Sequence, residues 1–111
     1  MVITKKIRRF EVWLVGLNPT VGSEINKNRP CVVASPDEAN IHLNTVIAVP
    51  LTSTKRDYPT RINCRFQEKE GQLAIDQIRS VDKSRFISKL GVMDDKTNKL
   101  LCDVLKETFE F

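Results

Sequence analysis

Until near its end, this chain places its hydrophobic residues in short runs, several of them alternating with polar ones. Phe10–Val15 carries Val12 and Leu14 on one face and Trp13 and Val15 on the other, the period of a strand. Cys31–Ala34 and Thr45–Leu51 are apolar and β-branched, which predicts buried strands. Thr60–Phe66 sets Ile62, Cys64 and Phe66 against Arg61, Asn63 and Arg65, a half-exposed strand with a basic outer face. Gly71–Ile75 and Gln77–Val81 predict two further strand pieces. Gly16 to Pro30 holds two prolines and two glycines among polar residues, too long for a tight turn, and predicts a loop. Ser35-Pro36-Asp37-Glu38 opens a polar connection that suits a helical turn. The end differs. Asp94 and Asp95 offer a helix cap and a favourable charge, and Leu100, Leu101, Val104, Leu105 and Thr108 or Phe109 follow with helical spacing. The expected fold is mainly β with a C-terminal helix, a small β-barrel in one domain over residues 1–111.

Composition narrows the functional classes. The chain has 111 residues, 41% of them hydrophobic, enough for one core. No apolar run is long enough to span a bilayer, and the basic opening MVITKKIRRF has no apolar stretch behind it. A cytoplasmic protein with no membrane partner is expected. The net charge is +4, which suits a polyanion without demanding one. Lys5, Lys6, Arg8 and Arg9 meet no acid in the opening segment, and Lys55, Arg56, Arg61 and Arg65 meet only Asp57. Asp94, Asp95, Asp103, Glu107 and Glu110 make the C-terminal element a poor nucleic-acid surface.

Cys31, Cys64 and Cys102 are odd in number and widely spaced, without a CxxC pair. Reduced thiols fit better than a disulfide framework or a zinc site. The only histidine, His42, lies in a polar connection and reads as a surface residue. A two-histidine acid/base pair cannot be built within one chain. No phosphate-binding glycine loop and no metal-ligand spacing occurs, and neither a metal nor another cofactor is expected.

Polar residues at strand ends remain. Arg29 precedes a predicted buried strand, and Pro30 biases it toward extended backbone. A guanidinium held there can grip phosphate oxygens, although on spacing alone an ordinary surface arginine, or one pairing Glu24, is the stronger reading. Thr52 and Ser53 follow an apolar strand; such hydroxyls either face a ligand or satisfy the last backbone groups. Asp76 stands inside strand-like sequence, as a structural hydrogen-bond hub or a site residue. Trp13, in an apolar strand, reads as a core or dimer-interface residue before an RNA-stacking one.

Read together, five strings resemble the MazF/PemK/Kid family of toxin ribonucleases. They are Glu11-Val12-Trp13-Leu14-Val15, Asn18-Pro19-Thr20-Val21-Gly22-Ser23-Glu24, Arg29-Pro30-Cys31-Val32-Val33, Val49-Pro50-Leu51-Thr52-Ser53 and Asp76-Gln77-Ile78-Arg79-Ser80-Val81-Asp82-Lys83-Ser84-Arg85. The resemblance implies an SH3-like β-barrel, a homodimer, and sequence-specific, metal-independent cleavage of single-stranded RNA to 2′,3′-cyclic phosphate and 5′-hydroxyl ends. It implies a cognate antitoxin whose acidic tail fills the RNA groove, with operator DNA reached only through that complex. The family's arginine falls on Arg29, its threonine on Thr52, its loop glutamate on Glu24, and its acidic-Gln pair on Asp76 and Gln77. Phe10 and Asn18 stand where Gly and Asp are frequent, and Ala74 stands where Kid-like members carry a second arginine.

The catalytic set implied is Arg29, Thr52 and Asp76, with Asp76 or Glu24 as proton acceptor. Ser23, Glu24, Asn26, Lys27, Asn28, Ser53, Lys55, Arg56, Gln77 and Arg79 are candidate RNA contacts. The basic Thr60–Phe66 face is the candidate antitoxin surface. A CcdB-like gyrase poison and an inactive RNA- or antitoxin-binding module are the alternatives on the same barrel.

Overall fold

The computed structural model describes residues 5–25 and 27–110. Seven antiparallel strands build the fold: β1 (Glu11–Gly16), β2 (Asn28–Val33), β3 (Thr45–Thr52), β4 (Arg61–Phe66), β5 (Lys69–Ala74), β6 (Arg79–Asp82) and β7 (Phe86–Val92). A short helix α1 (Asp37–His42) links β2 to β3, and α2 (Asp95–Phe109) ends the chain. The strands run in the order β4-β5-β3-β2-β1-β7, with β6 pairing β3 beside β5.

Long β3 pairs three partners. Its first half lies against β6, its middle against β2, and its last residues, Leu51 and Thr52, against Leu73 and Gln72 of β5. The two faces of the central strands are both buried, which explains their continuous apolar runs. Trp13, Val15, Cys31, Val33, Ala48 and Phe86 pack on one side. Val12, Val32, Val49, Ile62, Leu73, Ile75 and Leu101 pack on the other, covered by α2 through Val104 and Leu105. Trp13 belongs to this core. Its ring meets Phe86 edge-on at 5.9 Å, and its Nε1–H donates to Glu11 at 3.0 Å.

The strand ladder does not close into a complete barrel: β4 and β7 are the ends of the path. Side chains bridge the gap. A Cβ on Gly91 would come within 3.1 Å of the Phe66 ring, and Gln67 Nε2 donates to the Leu90 carbonyl at 3.0 Å.

Three predicted spans shift. The 16–30 loop is shorter than expected, because Asn28, Arg29 and Pro30 already pair with Gly16, Val15 and Leu14. Strand β5 starts at Lys69, after a two-residue turn in which Gln67 and Glu68 both have positive φ. Ile75–Gln77 forms a 3₁₀ turn, so Asp76 lies between strands rather than within one. Strand β7 was not predicted. The polar connection at Pro36 does hold a helical turn, and His42 ends it, exposed. Asp94 caps α2, its carboxylate accepting from Thr97 N at 3.0 Å and Thr97 Oγ1 at 2.8 Å. No helix among the described residues is long and apolar enough to cross a membrane.

Candidate active site

Antiparallel pairing brings the two leading candidates together. Cys31 faces Pro50 and Val33 faces Ala48 across β2 and β3. Continued two residues past its last pair, that register sets Arg29 opposite Thr52 on one face, and both line the same two clefts. Both residues line a cleft of about 200 Å³, together with Ser23, Glu24, Ile25, Thr54, Arg56, Arg61 and Gln77. Both also line an adjoining cleft of about 370 Å³ that includes Ser53, Phe66, Lys69 and Leu90. Arg29 and Thr52 thus form the ridge between two depressions.

The hydroxyl of Thr52 has a defined orientation. Its Oγ1 accepts from Thr54 N at 3.1 Å, which leaves its O–H free to donate outward. Thr52 is otherwise buried, so the hydroxyl is held by its strand.

The loop wall is fixed through its backbone. Arg79 donates to the Leu17 carbonyl at 3.3 Å, and Arg85 to the Asn18 carbonyl. Gln77 Oε1 accepts from Ile25 N at 3.3 Å, and Asn18 Oδ1 accepts from Lys27 N at 3.1 Å. Within the loop, Glu24 Oε1 accepts from Val21 N at 2.6 Å. The Asn18–Pro19 peptide is cis.

Asp76 stands outside the lining of the 200 Å³ cleft, paired with Arg61. Arg61 Nε and Nη2 reach its two oxygens at 2.8 and 3.2 Å, and Thr60 Oγ1 donates at 3.1 Å. Burial pushes the Asp76 carboxyl up, but the hydrogen bonds and charge of Arg61 outweigh this and hold it below its ordinary value. Arg61 is the residue sequence reasoning missed as a site group. It was assigned to an exposed basic face, yet its side chain is only 8% exposed. Its strand partner is Ala74.

The remaining candidates divide. Ser23, Glu24, Arg56 and Gln77 share the cleft of Arg29 and Thr52, and Ser53 lines the adjoining one. Lys55 instead lines a third groove of about 480 Å³, with Asn63, Arg65, Lys96 and α2. Lys27 and Asn28 are exposed at the start of β2, outside both Arg29 clefts. Arg79 donates from Nη1 to the loop backbone and lines neither Arg29 cleft. Asn26 lies outside the described residues. Among the described residues, no three His, Cys, Asp or Glu side chains converge as metal ligands. All three cysteines are free thiols, and burial pushes Cys31 up to about 12 and Cys64 up to about 11.

Comparison with known proteins identifies the family. The chain is 33% identical over 99 residues to a protein named Endoribonuclease MazF from Staphylococcus saprophyticus, covering 84% of this chain and 82% of the relative. The fold matches a crystal structure of MazF from Deinococcus radiodurans with a TM-score of 0.85, at 22% identity, over 97% of this chain and 100% of that one. It also matches an endoribonuclease in complex with its cognate antitoxin from a mycobacterial species, with a TM-score of 0.77, at 24% identity, over 91% and 92% of the two chains. Residues 8–109 match the family described as PemK-like, MazF-like toxin of type II toxin-antitoxin system, and the chain belongs to that family.

Proposed function

We propose that the protein is the toxin of a type II toxin–antitoxin pair and cleaves single-stranded RNA in the cleft of Arg29 and Thr52, without a metal. The observation that carries the site assignment is the convergence of these two side chains from β2 and β3 on one ridge.

The substrate's own 2′-hydroxyl attacks the adjacent phosphorus and gives up its proton, and the P–O5′ bond breaks, the leaving 5′-oxygen taking a proton from solvent water. The products are a 2′,3′-cyclic phosphate and a 5′-hydroxyl. Negative charge grows on the non-bridging oxygens as the new bond forms. Arg29 stabilises that charge with paired N–H donors, and Thr52 donates its outward O–H to the same phosphate. Glu24 is the carboxylate that lines the cleft and is assigned the 2′-proton. Asp76 has both oxygens engaged by Arg61 and acts through it. Ser23, Arg56 and Gln77 supply donors and acceptors for bases splayed from the single strand.

The antitoxin is assigned to the groove between the β4–β5 hairpin and α2. There Lys55, Arg65 and Lys96 outnumber Glu70 and Asp94, although Lys55 lies 3.9 Å from Glu70, and the net positive charge suits an acidic peptide. Homodimer formation is supported by apolar side chains left exposed at Ile41, Leu43 and Ile47, where α1 meets β3.

The test is a primer-extension map of a long RNA incubated with the protein in EDTA, beside an Arg29→Ala control. Discrete cuts are expected, weakened about 10²–10³-fold in the variant, the loss typical of one transition-state donor. A folded Arg29→Ala variant that cuts at the wild-type rate would remove Arg29 from the mechanism. No cuts from folded wild type would overturn the nuclease assignment and make DNA gyrase the next target.

A further inference from the structure

We propose that Arg61 binds a phosphate of the RNA, beside the one held by Arg29 and Thr52, and that Asp76 positions it for this. The inference rests on the RNA-cleaving reading of the cleft.

Arg61 departs from the other residues of its strand face. Asn63 and Arg65 are exposed, whereas the Arg61 side chain is folded inward and lines the cleft of Arg29 and Thr52. Its cross-strand neighbour is Ala74, whose methyl leaves the guanidinium room to lie across β5 onto the Asp76 turn. Three contacts hold it there. Asp76 takes Nε and Nη2, the Thr54 carbonyl takes Nη1 at 3.2 Å, and the Tyr58 ring lies 5.4 Å from Cζ.

These contacts use three of the five N–H donors of a guanidinium. One N–H on each terminal nitrogen remains for an anion. A purely structural ion pair would need no cleft-lining face. An arginine whose long side chain is already immobilised loses little rotamer freedom when it meets a phosphate. Arg61 also ties the two walls together, since Asp76 belongs to the turn that carries Gln77 and Thr54 follows Thr52 by two residues. Arg56 lines the same cleft, so Glu24 and the adjoining Asp76 offset two of three guanidinium charges and the cleft stays cationic.

The test separates phosphate binding from simple pairing. The probe is a mixed-sequence, fully 2′-O-methylated 20-nucleotide RNA, which carries no hydroxyl to attack and is not cut. Its Kd is measured across salt concentrations for wild type and for the double variant Arg61→Ala/Asp76→Asn, which removes both charges and leaves the net charge unchanged. If Arg61 contacts a phosphate, the double variant binds about tenfold more weakly near 0.1 M salt, and its salt slope falls by about 0.7, one single-strand phosphate contact. A folded double variant with wild-type Kd and slope would overturn the proposal. Should it fail to fold, Arg61→Lys decides. Weaker binding with the slope retained supports a guanidinium–phosphate contact, and unchanged Kd refutes it. Cleavage of unmodified RNA by wild type, run in parallel, reports on the nuclease reading independently.

Discussion

Gly71 offers a way to move the Thr52 strand end without touching a reacting group. It lies in β5 beside the residue pair Thr52–Gln72, and a methyl there would sit 2.9 Å from the Thr52 carbonyl oxygen. Ordinary contact begins at 3.4 Å, so Gly71→Ala must open the β3–β5 ladder by about 0.5 Å. Overpacking against backbone costs about 1–3 kcal/mol, offset by about 0.5–1 kcal/mol from replacing glycine in a strand. The net loss expected is about 1–2 kcal/mol, read as a drop of about 4–8 °C in Tm for each kcal/mol. The displaced backbone carries the Thr52 hydroxyl, whose orientation depends on the Thr54 amide. A shift of this size at a positioned donor lowers kcat by about 10-fold to 10²-fold. The assays are thermal melting by circular dichroism and single-turnover cleavage of a short RNA. Gly16→Ala is the control, since its methyl would meet only the Asn28 side chain at 3.4 Å and the distant Arg85 carbonyl. It is expected to keep wild-type cleavage within about twofold. A Gly71→Ala protein with wild-type Tm and kcat would refute the argument that the β3–β5 contact sets the Thr52 position.

Two further outcomes concern stability. Burial pushes the Glu11 carboxyl up, but Lys89 at 2.8 Å, the Arg8 amide and the Trp13 indole outweigh it and lower its pKa. A lowered folded value means that this stabilisation is present above the unfolded value, about 4.3, and is lost as pH falls through the folded one. Glu11→Gln should therefore melt below wild type at pH 7, with the gap closing below about pH 4; a gap independent of pH would contradict this. Asp94→Ala removes the cap of α2 and should cost about 1 kcal/mol, or about 4–8 °C in Tm; an unchanged melt would show that α2 is held by Leu101 and its neighbours alone.

The central strands were legible in the sequence as apolar, β-branched runs, and α2 because it follows the helical period and begins with a cap. Strand β7 was hidden for a physical reason. Of its seven residues only Phe86 is fully buried, and its register with β1 slips at two places. No alternation survives two irregularities. The start of β2 was hidden because Asn28 and Arg29 join the sheet through backbone pairing while their side chains are polar. The β4–β5 turn uses Gln67 and Glu68 at positive φ, where Asn-Gly would have announced it. Phe10 likewise holds φ 69°, a glycine-favouring conformation, with its amide and carbonyl bound to Val33 and Met93.

The site was half legible. Arg29 and Thr52 could be named from the chain, and the register explains why they meet. Arg61 could not, because the role proposed for it depends on Asp76, fifteen residues away in sequence and reached only when β4 and β5 pair. The strand pattern correctly placed Arg61 opposite the Ile62 face, but no pattern distinguishes an arginine in solvent from one folded against a turn.

The loop between β1 and β2 is gripped by carbonyl and amide groups, at Leu17, Asn18, Ile25 and Lys27, that every residue type except proline can supply in full. Its course is therefore encoded largely in Arg79, Arg85, Gln77 and Asn18, while Thr20, Val21 and Ser23 are left out of those attachments. Scaffold and reading head share Gln77 and are otherwise separately written. On the RNA-cleaving reading proposed above, such a loop can exchange residues at its tip, Ser23 among them, while the clamps beneath it stay the same. New cleavage motifs are then within reach of a few substitutions at the tip, with little penalty to folding.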